Sequence, residues 1–237
     1  MTEKIIIVIP TYNERQNLPK LVKEIFNLNL SNLSLIIIDD DSPDGTGQIA
    51  DDLAKNHPLI VIHRPRKSGL GSAYQIGFIR ALNEGADLIC QMDADLSHNP
   101  KDIPRLIQVC REGADLAIGS RKIQGGKIIG WNWWRKFCSW GAMFFSRLIL
   151  GLKTKDVTTG FRCYRRTTLE KINFQKIKSS GYAWQEEVIY RTEKEGLKIK
   201  EIPIIFIDRK FGMSKLGPLE IIEFLINIFK LKFSKNV

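Results

Sequence analysis

Residues 88–95 read Leu88-Ile89-Cys90-Gln91-Met92-Asp93-Ala94-Asp95, an apolar, strand-like run that ends in two carboxylates one residue apart. Successive side chains of a strand point to opposite faces, so Asp93 and Asp95 share one side if the chain stays extended through Ala94. Carboxylate oxygens at a strand end suit Mg2+ or Mn2+, and either ion can bridge the phosphates of a nucleotide. Asp95 could equally cap a helix that we expect near residues 103–111. Taken alone, this stretch leaves a metal site and a helix cap open.

Apolar runs of strand length alternate with segments of helical spacing on either side of this stretch. Strands are predicted at residues 5–9, 35–38, 60–62, 87–92, 116–118 and 202–207, and helices at 13–27, 48–55, 71–83 and 103–110. Strands and helices that alternate in this way predict the α/β class, with a doubly wound, mostly parallel sheet and helices on both faces. Ligands of such sheets bind beyond the carboxyl ends of the strands.

Three polar segments follow predicted strands at their carboxyl ends, at residues 10–14, 39–41 and 93–95. Each has a simple structural explanation, since Asn13 could cap the first helix, Asp41 could form a turn and Asp95 could cap another helix. Their joint position at one rim favours a metal with a sugar- or base-bearing ligand, because clustered carboxylates repel one another unless a cation or donor groups offset the charge.

The composition is that of a folded protein with a sizeable core. The chain has 237 residues, of which 43% are hydrophobic, and this length fits one large α/β domain as well as two small ones. Its 4 cysteines form no CxxC pair and its 3 histidines show no ligand spacing, which argues against structural zinc and a disulfide framework. The first apolar run is too short for the core of a signal peptide. We therefore expect reduced thiols and a cytoplasmic protein.

Charge is divided unevenly between the two halves of the chain. Residues 1–120 carry a net charge of −4 and residues 121–237 carry +14, so the whole excess of +10 lies in the second half. A basic half of this kind indicates an anionic partner: nucleic acid, an acidic membrane surface or a phosphorylated substrate. For scattered lysines such as Lys194, Lys198 and Lys200, a solvated basic surface is the simpler interpretation.

Two segments have the character of membrane-interface helices. Residues 131–152 hold four of the 5 tryptophans together with Arg135, Lys136 and Arg147, a pattern that interface helices share with buried amphipathic ones. The density of tryptophan favours the interface. A helix over residues 219–233 would be apolar on most of its surface and about 22 Å long, short of the ~30 Å hydrocarbon core. We expect it to lie on a membrane, or to be covered by another protein, without spanning the bilayer.

Several motifs occur in a fixed order along the chain. They are Ile9-Pro10-Thr11-Tyr12-Asn13-Glu14, Asp39-Asp40-Asp41-Ser42-Pro43-Asp44-Gly45-Thr46, Met92-Asp93-Ala94-Asp95-Leu96-Ser97-His98, Gly119-Ser120-Arg121, Thr159-Gly160-Phe161-Arg162, Gly181-Tyr182 with Gln185 and Glu187, and Asp208-Arg209-Lys210-Phe211-Gly212-Met213-Ser214-Lys215-Leu216-Gly217. This set resembles family 2 glycosyltransferases of the GT-A fold. More narrowly, it resembles the dolichyl- and polyprenyl-phosphate mannose synthases, in the form without a C-terminal transmembrane domain.

The resemblance covers nearly the whole chain and implies a single GT-A domain over residues 1–237. Its parts would be a nucleotide-sugar-binding half at 1–120, an acceptor-binding half at 121–218 with interface helices near 131–152, and a C-terminal amphipathic helix at 219–237. On the donor side, the implied nucleotide-sugar contacts are Pro10, Tyr12, Glu14, Ile38 and Asp40, and the implied metal and diphosphate contacts are Asp93, Ala94 and Asp95. Ser97 stands where some relatives have a glutamine as a further metal ligand, and it could ligate weakly or through water.

On the acceptor side, the resemblance assigns the phosphate to Arg121, Arg135 and Ser139. It assigns Arg209 and Lys215 to a loop that closes over donor and acceptor. Arginine forks suit phosphate oxygens, which agrees with a basic second half. The residues expected to carry catalysis are Asp95, Arg121 and Arg209.

The implied activity is inverting transfer of mannose from GDP-mannose to a polyprenyl (dolichyl) phosphate, with Mg2+ or Mn2+ as cofactor. The protein would be peripheral on the cytoplasmic face of a membrane, where a membrane partner subunit could cover its C-terminal helix. Because the acceptor phosphate is already anionic, the reaction needs positioning and charge neutralisation more than a general base. Two alternatives stay open: another donor such as UDP-glucose and, more distantly, a basic nucleic-acid-binding domain, against which the acidic rim argues.

Overall fold

Strands and helices follow one another much as the sequence predicts. The computed structural model describes residues 3–177, 179, 181–208 and 228–233. Its strands are β1 (Ile5–Thr11), β2 (Leu33–Asp39), β3 (Leu59–His63), β4 (Leu88–Gln91), β5 (Leu116–Ser120), β6 (Lys127–Ile129), β7 (Arg162–Arg165), β8 (Ile199–Pro203) and β9 (Ile205–Ile207). Its helices are α1 (Leu18–Phe26), α2 (Thr46–Ala54), α3 (Leu70–Asn83), α4 (Ile103–Arg111), α5 (Trp133–Leu150), α6 (Arg166–Ile172) and α7 (Gly181–Lys194).

One seven-stranded sheet, with the order β3-β2-β1-β4-β7-β5-β8, forms the centre of the fold. Neighbouring strands from β3 to β4 are parallel, as are β5 and β8, whereas β7 runs antiparallel to both of its neighbours. The predicted α/β class with a mostly parallel sheet is confirmed. The strand expected at residues 202–207 is two strands, because the chain leaves the large sheet after Pro203 and β9 pairs with β6 in a second sheet.

Helices cover both faces of the large sheet because its central strands are apolar on both faces. Ile6 and Val8 of β1 pack with α3 and α7, while the alternate residues of this strand pack with α1 and α4. Complete burial of an aliphatic side chain stabilises the fold by about 1.5–3 kcal/mol. The helix α3 lies so close to β1 that a Cβ atom at Gly77 would collide with Val8.

The first helix begins later than the sequence pattern indicates. α1 starts at Leu18 with Asn17 in the N-cap position, whereas the spacing of apolar residues predicts a helix from residue 13. Asn13 lies outside the helix with φ of 60°, in the left-handed region that asparagine tolerates. Asn13 as a helix cap is therefore wrong, and the segment that follows β1 is left as a loop over the rim.

Asp95 does not cap α4. Its Oδ1 accepts a hydrogen bond from the backbone N–H of Ser97 at 3.0 Å. α4 is instead preceded by a 3-10 turn at Pro100–Asp102, where the side chain of Asn99 accepts from the N–H of Lys101 at 3.1 Å. The helix-cap explanation for Asp95 is therefore wrong.

α5 presents a row of large apolar side chains to the outside. Its exposed residues of this kind are Trp133, Trp134, Phe137, Trp140, Phe144, Phe145 and Leu148. Of the helix expected at 219–233, residues 219–227 lie outside the described residues, while 228–233 are helical and bury Ile228 and Leu231 in the same core as α5. Among the helices that the structure describes, none combines the length and the apolar character needed to cross a membrane.

Candidate active site

The carboxyl ends of β1 and β2 bring together the residues expected at the nucleotide. Pro10 and Ile38 are direct register partners in the parallel β1–β2 pair. Tyr12 follows at the end of β1, and the Nζ atom of Lys67 lies 3.9 Å from the centre of its ring. A cation at this distance is attracted to the ring face and fixes its position. The two strands therefore supply a shared floor with an aromatic side chain at its edge.

The carboxylate of Asp39 is occupied by hydrogen bonds within the protein and is not available to a ligand. It accepts hydrogen bonds from the hydroxyls of Thr11 and Ser42 at 3.0 and 2.6 Å, and from the N–H of Ser42 at 3.0 Å. Glu14 is held in a similar way, because its Oε2 accepts from the side-chain amide of Asn17 at 2.7 Å. These bonds fix the loops after β1 and β2.

Asp40 forms a buried charge pair with Arg64, a residue that the sequence did not single out. Nη1 of Arg64 lies 2.8 Å from Oδ1 of Asp40. The guanidinium directs hydrogen bonds to the Gly69 carbonyl and the Ser72 hydroxyl at 3.3 and 2.7 Å, and within the described residues Oδ1 of Asp40 receives none. Burial raises the pKa of Asp40, although the charge of Arg64 opposes the rise. Oδ1 is shielded from solvent and lies against the charge of Arg64, so the pair fixes this carboxyl group at the end of β2.

Asp93 sits just beyond β4 beside a neutral histidine. Nδ1 of His98 accepts from the backbone N–H of Asp93 at 3.4 Å, so this nitrogen carries no proton. Burial lowers the pKa of His98, which keeps the ring uncharged, and its 3.8 Å approach to Oδ2 of Asp93 is not an ion pair. Burial, together with the negative charge of Asp95, raises the pKa of Asp93. A divalent cation would offset both the burial and the repulsion.

Buried groups on two sides hold the Asp93 carboxylate in place. The Tyr74 hydroxyl donates to Oδ1 at 3.3 Å. On another side, a Cβ atom at Gly160 would lie 3.0 Å from Oδ1 and 3.2 Å from Oδ2, so a larger residue there would press on the carboxylate. The side chain of Gln91 donates to the Gly160 carbonyl at 3.1 Å and accepts from the Tyr164 hydroxyl at 2.7 Å. The available sequence signal was a polar Gln91 within an apolar strand.

Ser97 supplies a test of whether the rim suits a metal ion. Its hydroxyl oxygen is buried and has no hydrogen-bond partner among the described residues, so it is an orphaned oxygen close to Asp95 in the chain. Over the described ranges, no group of three His, Cys, Asp or Glu side chains could hold a metal by itself. The protein oxygens are therefore few and hard, which fits Mg2+ or Mn2+ sharing its ligands with a substrate diphosphate. Asp93, Asp95 and Ser97 would hold it.

Arg121 is already paired with a buried carboxylate that the sequence did not reveal. Its Nε and Nη2 donate to Oδ2 and Oδ1 of Asp156 at 2.7 and 2.6 Å, and Nη2 also donates to the Thr158 hydroxyl at 2.9 Å. Burial opposes the charge on Asp156, but the charge and hydrogen bonds of Arg121 prevail and hold the pKa of Asp156 below its ordinary value. The charge of Arg121 also opposes the effect of burial on Asp93, so the acceptor side adjoins the rim.

Arg135 lies on α5 in a more open setting. Its Nη1 donates to both carboxylate oxygens of Asp208 at 3.1 and 2.9 Å, and its guanidinium carbon lies 4.0 Å from the centre of the Trp131 ring. The guanidinium carbon of Arg121 lies 5.8 Å from the same ring. Trp131 therefore links the two arginines. Ser139 is half-buried one helical turn after Arg135, so the three predicted acceptor residues share one region.

Arg209 and Lys215, assigned above to a closing loop, lie outside the described residues, and their roles stay predictions. The structure thus brings the predicted donor residues to one rim and the remaining acceptor residues to the adjoining side. Acidic groups at the ends of parallel strands, beside a basic and aromatic surface, are suited to joining a nucleotide diphosphate and an anionic acceptor.

The fold and site define the protein as a glycosyltransferase with a GT-A fold. The model of Glycosyl transferase family 2 matches residues 6–173, and the chain belongs to that family. It is 41% identical over 229 residues to a polyprenol monophosphomannose synthase from Mycolicibacterium smegmatis, covering 96% of this chain and 86% of the relative. It is also 41% identical to an undecaprenyl-phosphate mannosyltransferase from Micrococcus luteus, covering 95% and 92%.

Solved structures support the same fold. A glucosyl-3-phosphoglycerate synthase from Mycobacterium tuberculosis, in complex with Mn2+, UDP and glucosyl-3-phosphoglycerate, is similar with a TM-score of 0.68 and 18% identity, over 97% of this chain and 80% of that one. Its complex with UDP gives a TM-score of 0.69 with 17% identity, over 97% and 80%. The predicted family, fold and enzyme class are confirmed, and membership of this family favours them over a nucleic-acid-binding domain.

Proposed function

We propose that this glycosyltransferase transfers mannose, with inversion at the anomeric carbon, from GDP-mannose to a polyprenyl phosphate. The observation that carries the proposal is the 41% identity, over 95% and 96% of the chain, to two relatives named for joining mannose to polyprenyl carriers. The identity extends over both the acidic rim and the basic side. We treat residues 1–237 as one domain, with the donor bound by 1–120, the acceptor by 121–218 and a C-terminal amphipathic helix at 219–237.

On the donor side, each rim residue has a task that its surroundings support. Pro10, Tyr12 and the backbone at Ile38 hold the nucleotide base, and Asp40 with its partner Arg64 contacts the base or the ribose. Asp93 and Asp95 bind Mg2+ or Mn2+, with Ser97 as a further oxygen. Such an ion, when bound, neutralises the negative charge that develops on the departing diphosphate. The backbone at Ala94 lines the diphosphate, and Glu14 acts mainly by fixing the loop beneath Tyr12.

On the acceptor side, the different exposure of the two arginine pairs divides their roles. Arg121 and Asp156 are 6% and 0% exposed, whereas Arg135 and Asp208 are 20% and 26% exposed. A phosphate can replace Asp208 at Arg135 with little loss, because one anion exchanges for another close to solvent. Displacing Asp156 would leave a buried charge unpaired. We therefore assign the phosphate contact to Arg135 with Ser139, and to Arg121 the task of holding positive charge beside the reacting centre.

Attachment to the cytoplasmic face of a membrane would occur through α5. Its exposed tryptophans, phenylalanines and leucine resemble the apolar face of an interface helix, and its arginines and lysines suit phosphate headgroups. Residues 219–237 would add a second contact, with the bilayer or with a membrane partner subunit. The acceptor phosphate would then lie at the depth of Arg135, close to the rim.

The test is an assay for lipid-linked sugar. Purified protein is incubated with labelled GDP-mannose or UDP-glucose, with Mg2+ or Mn2+, and with a polyprenyl phosphate, and the lipid is extracted and counted. The proposal expects label in the lipid from GDP-mannose and a metal, and little from UDP-glucose. Label from UDP-glucose alone would change the donor, and no lipid-linked sugar with either donor would refute the reaction. Asp95→Asn should abolish transfer, whereas Asp52→Asn, an exposed carboxylate on α2, should not.

A further inference from the structure

An open groove of about 460 Å³ lies beside the acceptor region and shares Arg121 with it, but neither Arg135 nor Ser139 lines it. It is lined by Arg121, Lys122, Gly126, Lys127, Ile128, Lys136, Phe137 and Trp140. The lining therefore combines four cations with two aromatic rings and contains no carboxylate. This composition is that of a site for an anion attached to an apolar body.

The groove holds positive charge that the described part of the protein does not neutralise. Arg121 is paired with Asp156, but Lys122, Lys127 and Lys136 have no carboxylate within ion-pair distance among the described residues. Burial, and the neighbouring charges of Arg121 and Lys136, lower the pKa of Lys122 although Asp156 opposes them. Cations held together in this way repel one another, and an anion bound between them would relieve the repulsion.

The start of α5 adds to this field. The helix begins at Trp133, its first turn contains no acidic residue, and Lys136 stands close to its N-terminus. The N-terminus of a helix carries partial positive charge, so a lysine there is unfavourable and an anion is favourable. The start of α5 and the lining residues between positions 121 and 128 therefore favour the same kind of ligand, an anion.

The aromatic side chains that line this charged groove are of the kind found at a membrane surface. Phe137 and Trp140 line it and are each 58% exposed, and Trp140 stacks on Phe144 with ring centres 5.5 Å apart. Tryptophan and lysine together are typical of the boundary between headgroups and acyl chains. An anion at that depth, attached to an apolar body, is the phosphate of a lipid.

On α5, the residues assigned to the acceptor phosphate and the residues that line the groove lie on different faces. Arg135 and Ser139 are half-buried and face the body of the protein, whereas Lys136 and Trp140, one position further along, are exposed. One position on a helix is a rotation of about 100°, so one phosphate at Arg135 and another at Lys136 can be bound together. We propose that the groove binds the headgroup phosphate of an anionic phospholipid of the bilayer, and that this lipid holds α5 at the membrane beside the acceptor.

This inference rests on the membrane attachment included in the proposed function, and vesicle binding separates the two. Flotation would compare vesicles of phosphatidylcholine with vesicles that also contain phosphatidylglycerol, at about 0.15 M salt. The variant replaces the three groove lysines, Lys122→Gln, Lys127→Gln and Lys136→Gln. Its matched control removes the same charge from α1 and the end of α2, Lys20→Gln, Lys23→Gln and Lys55→Gln. Thermal melting confirms that both variants are folded.

We expect wild type and control to bind the anionic vesicles alike, and the groove variant to bind them on the order of 100-fold more weakly. Binding to neutral vesicles through the aromatic residues should be the same for all three proteins. Equal loss in the groove and control variants would overturn the inference, because net charge alone would then explain binding. Absence of binding to either vesicle would refute membrane attachment itself. Turnover of a polyprenyl phosphate in detergent should be unchanged in the groove variant, and a raised acceptor KM would show that the groove is part of the acceptor site.

Discussion

Replacing Glu186 by glutamine should stabilise the protein in a manner that depends on pH. Glu186 is completely buried on α7 and is hydrogen-bonded to the Ser146 hydroxyl of α5, while its Oε2 has no partner among the described residues. The hydroxyl of Ser146 also donates to the Ala142 carbonyl at 3.0 Å. A hydroxyl has one proton to donate, so both bonds are satisfied when Glu186 is protonated and itself donates to Ser146.

Burial raises the pKa of Glu186 from its ordinary 4.5 to about 8, although the Ser146 hydrogen bond and the charge of Arg162 oppose the rise. Between these two pH values the folded protein keeps a proton that the unfolded chain has lost. The free energy of unfolding therefore falls as the pH rises through this window, and the loss at pH 7 is at most about 3.5 kcal/mol, with ~1.4 kcal/mol for each pH unit. Glu186→Gln keeps the shape of the protonated carboxyl without this loss.

The assay is urea unfolding followed by circular dichroism at several pH values from 4 to 8. Relative to wild type, Glu186→Gln should show little stabilisation near pH 4 and an advantage that grows to about 1–3 kcal/mol at pH 7. Glu195→Gln, an exposed carboxylate beyond the end of the same helix, is the matched control and should show no such trend. A Glu186→Gln advantage that stays constant over the whole range would refute the buried proton.

Three further changes test the site itself. Gly160→Ala places a Cβ atom 3.0 Å from Oδ1 of Asp93, so the carboxylate must shift and the affinity for Mn2+, measured by calorimetry without turnover, should fall about 10-fold or more. Asp156→Asn leaves Arg121 buried without its counter-ion, and the free energy of unfolding should fall by about 3–5 kcal/mol in urea titrations. Asp40→Asn weakens an acceptor that we place at the nucleotide, so the donor KM should rise about 10-fold with kcat little changed.

Each of these changes has an outcome that would contradict its explanation. Gly141→Ala adds a methyl group on α5 in open space and should leave Mn2+ binding unaltered. An equal loss of affinity in this variant would contradict the role of the close Gly160–Asp93 approach. The pKa of Asp156 is lowered in the folded protein, so its stabilisation is present above pH 3.8 and disappears as the pH falls further. Asp156→Asn should therefore matter least in acid. An unchanged donor KM in Asp40→Asn would remove Asp40 from the nucleotide site.

Local sequence predicted the sheet well because its strands are distinct runs of apolar residues. Runs such as residues 5–9 are apolar on both faces, and only a strand that is covered on both sides accommodates such a run. In a parallel sheet, the polar residues that follow these strands must then meet at one rim. The start of α1 could not be predicted in this way, since apolar spacing continues back to Asn13 while the left-handed conformation of that residue is set by the loop around it. The insertion of β7 between β4 and β5 is likewise a choice of partner that no local pattern encodes.

The residues that the sequence missed at the site share one property, which is that their importance depends on distant partners. Asp156 lies in an irregular stretch with no periodicity. Its role depends on its pairing with Arg121, thirty-five positions earlier. Arg64 follows β3 as one of several basic residues, and only the fold brings it to Asp40. Gly160 stood within a recognised motif, but its contact with Asp93 depends on the antiparallel strand β7 that follows it.

The two arginine pairs differ in how readily they can exchange partners. In the proposed function, a lipid phosphate would replace Asp208 at Arg135, where the pair lies close to solvent. Arg121 cannot act in this way, because its partner Asp156 is fully buried and stays bound. The difference in exposure therefore favours Arg121 as a fixed positive charge and Arg135 as the arginine that would meet an anionic ligand.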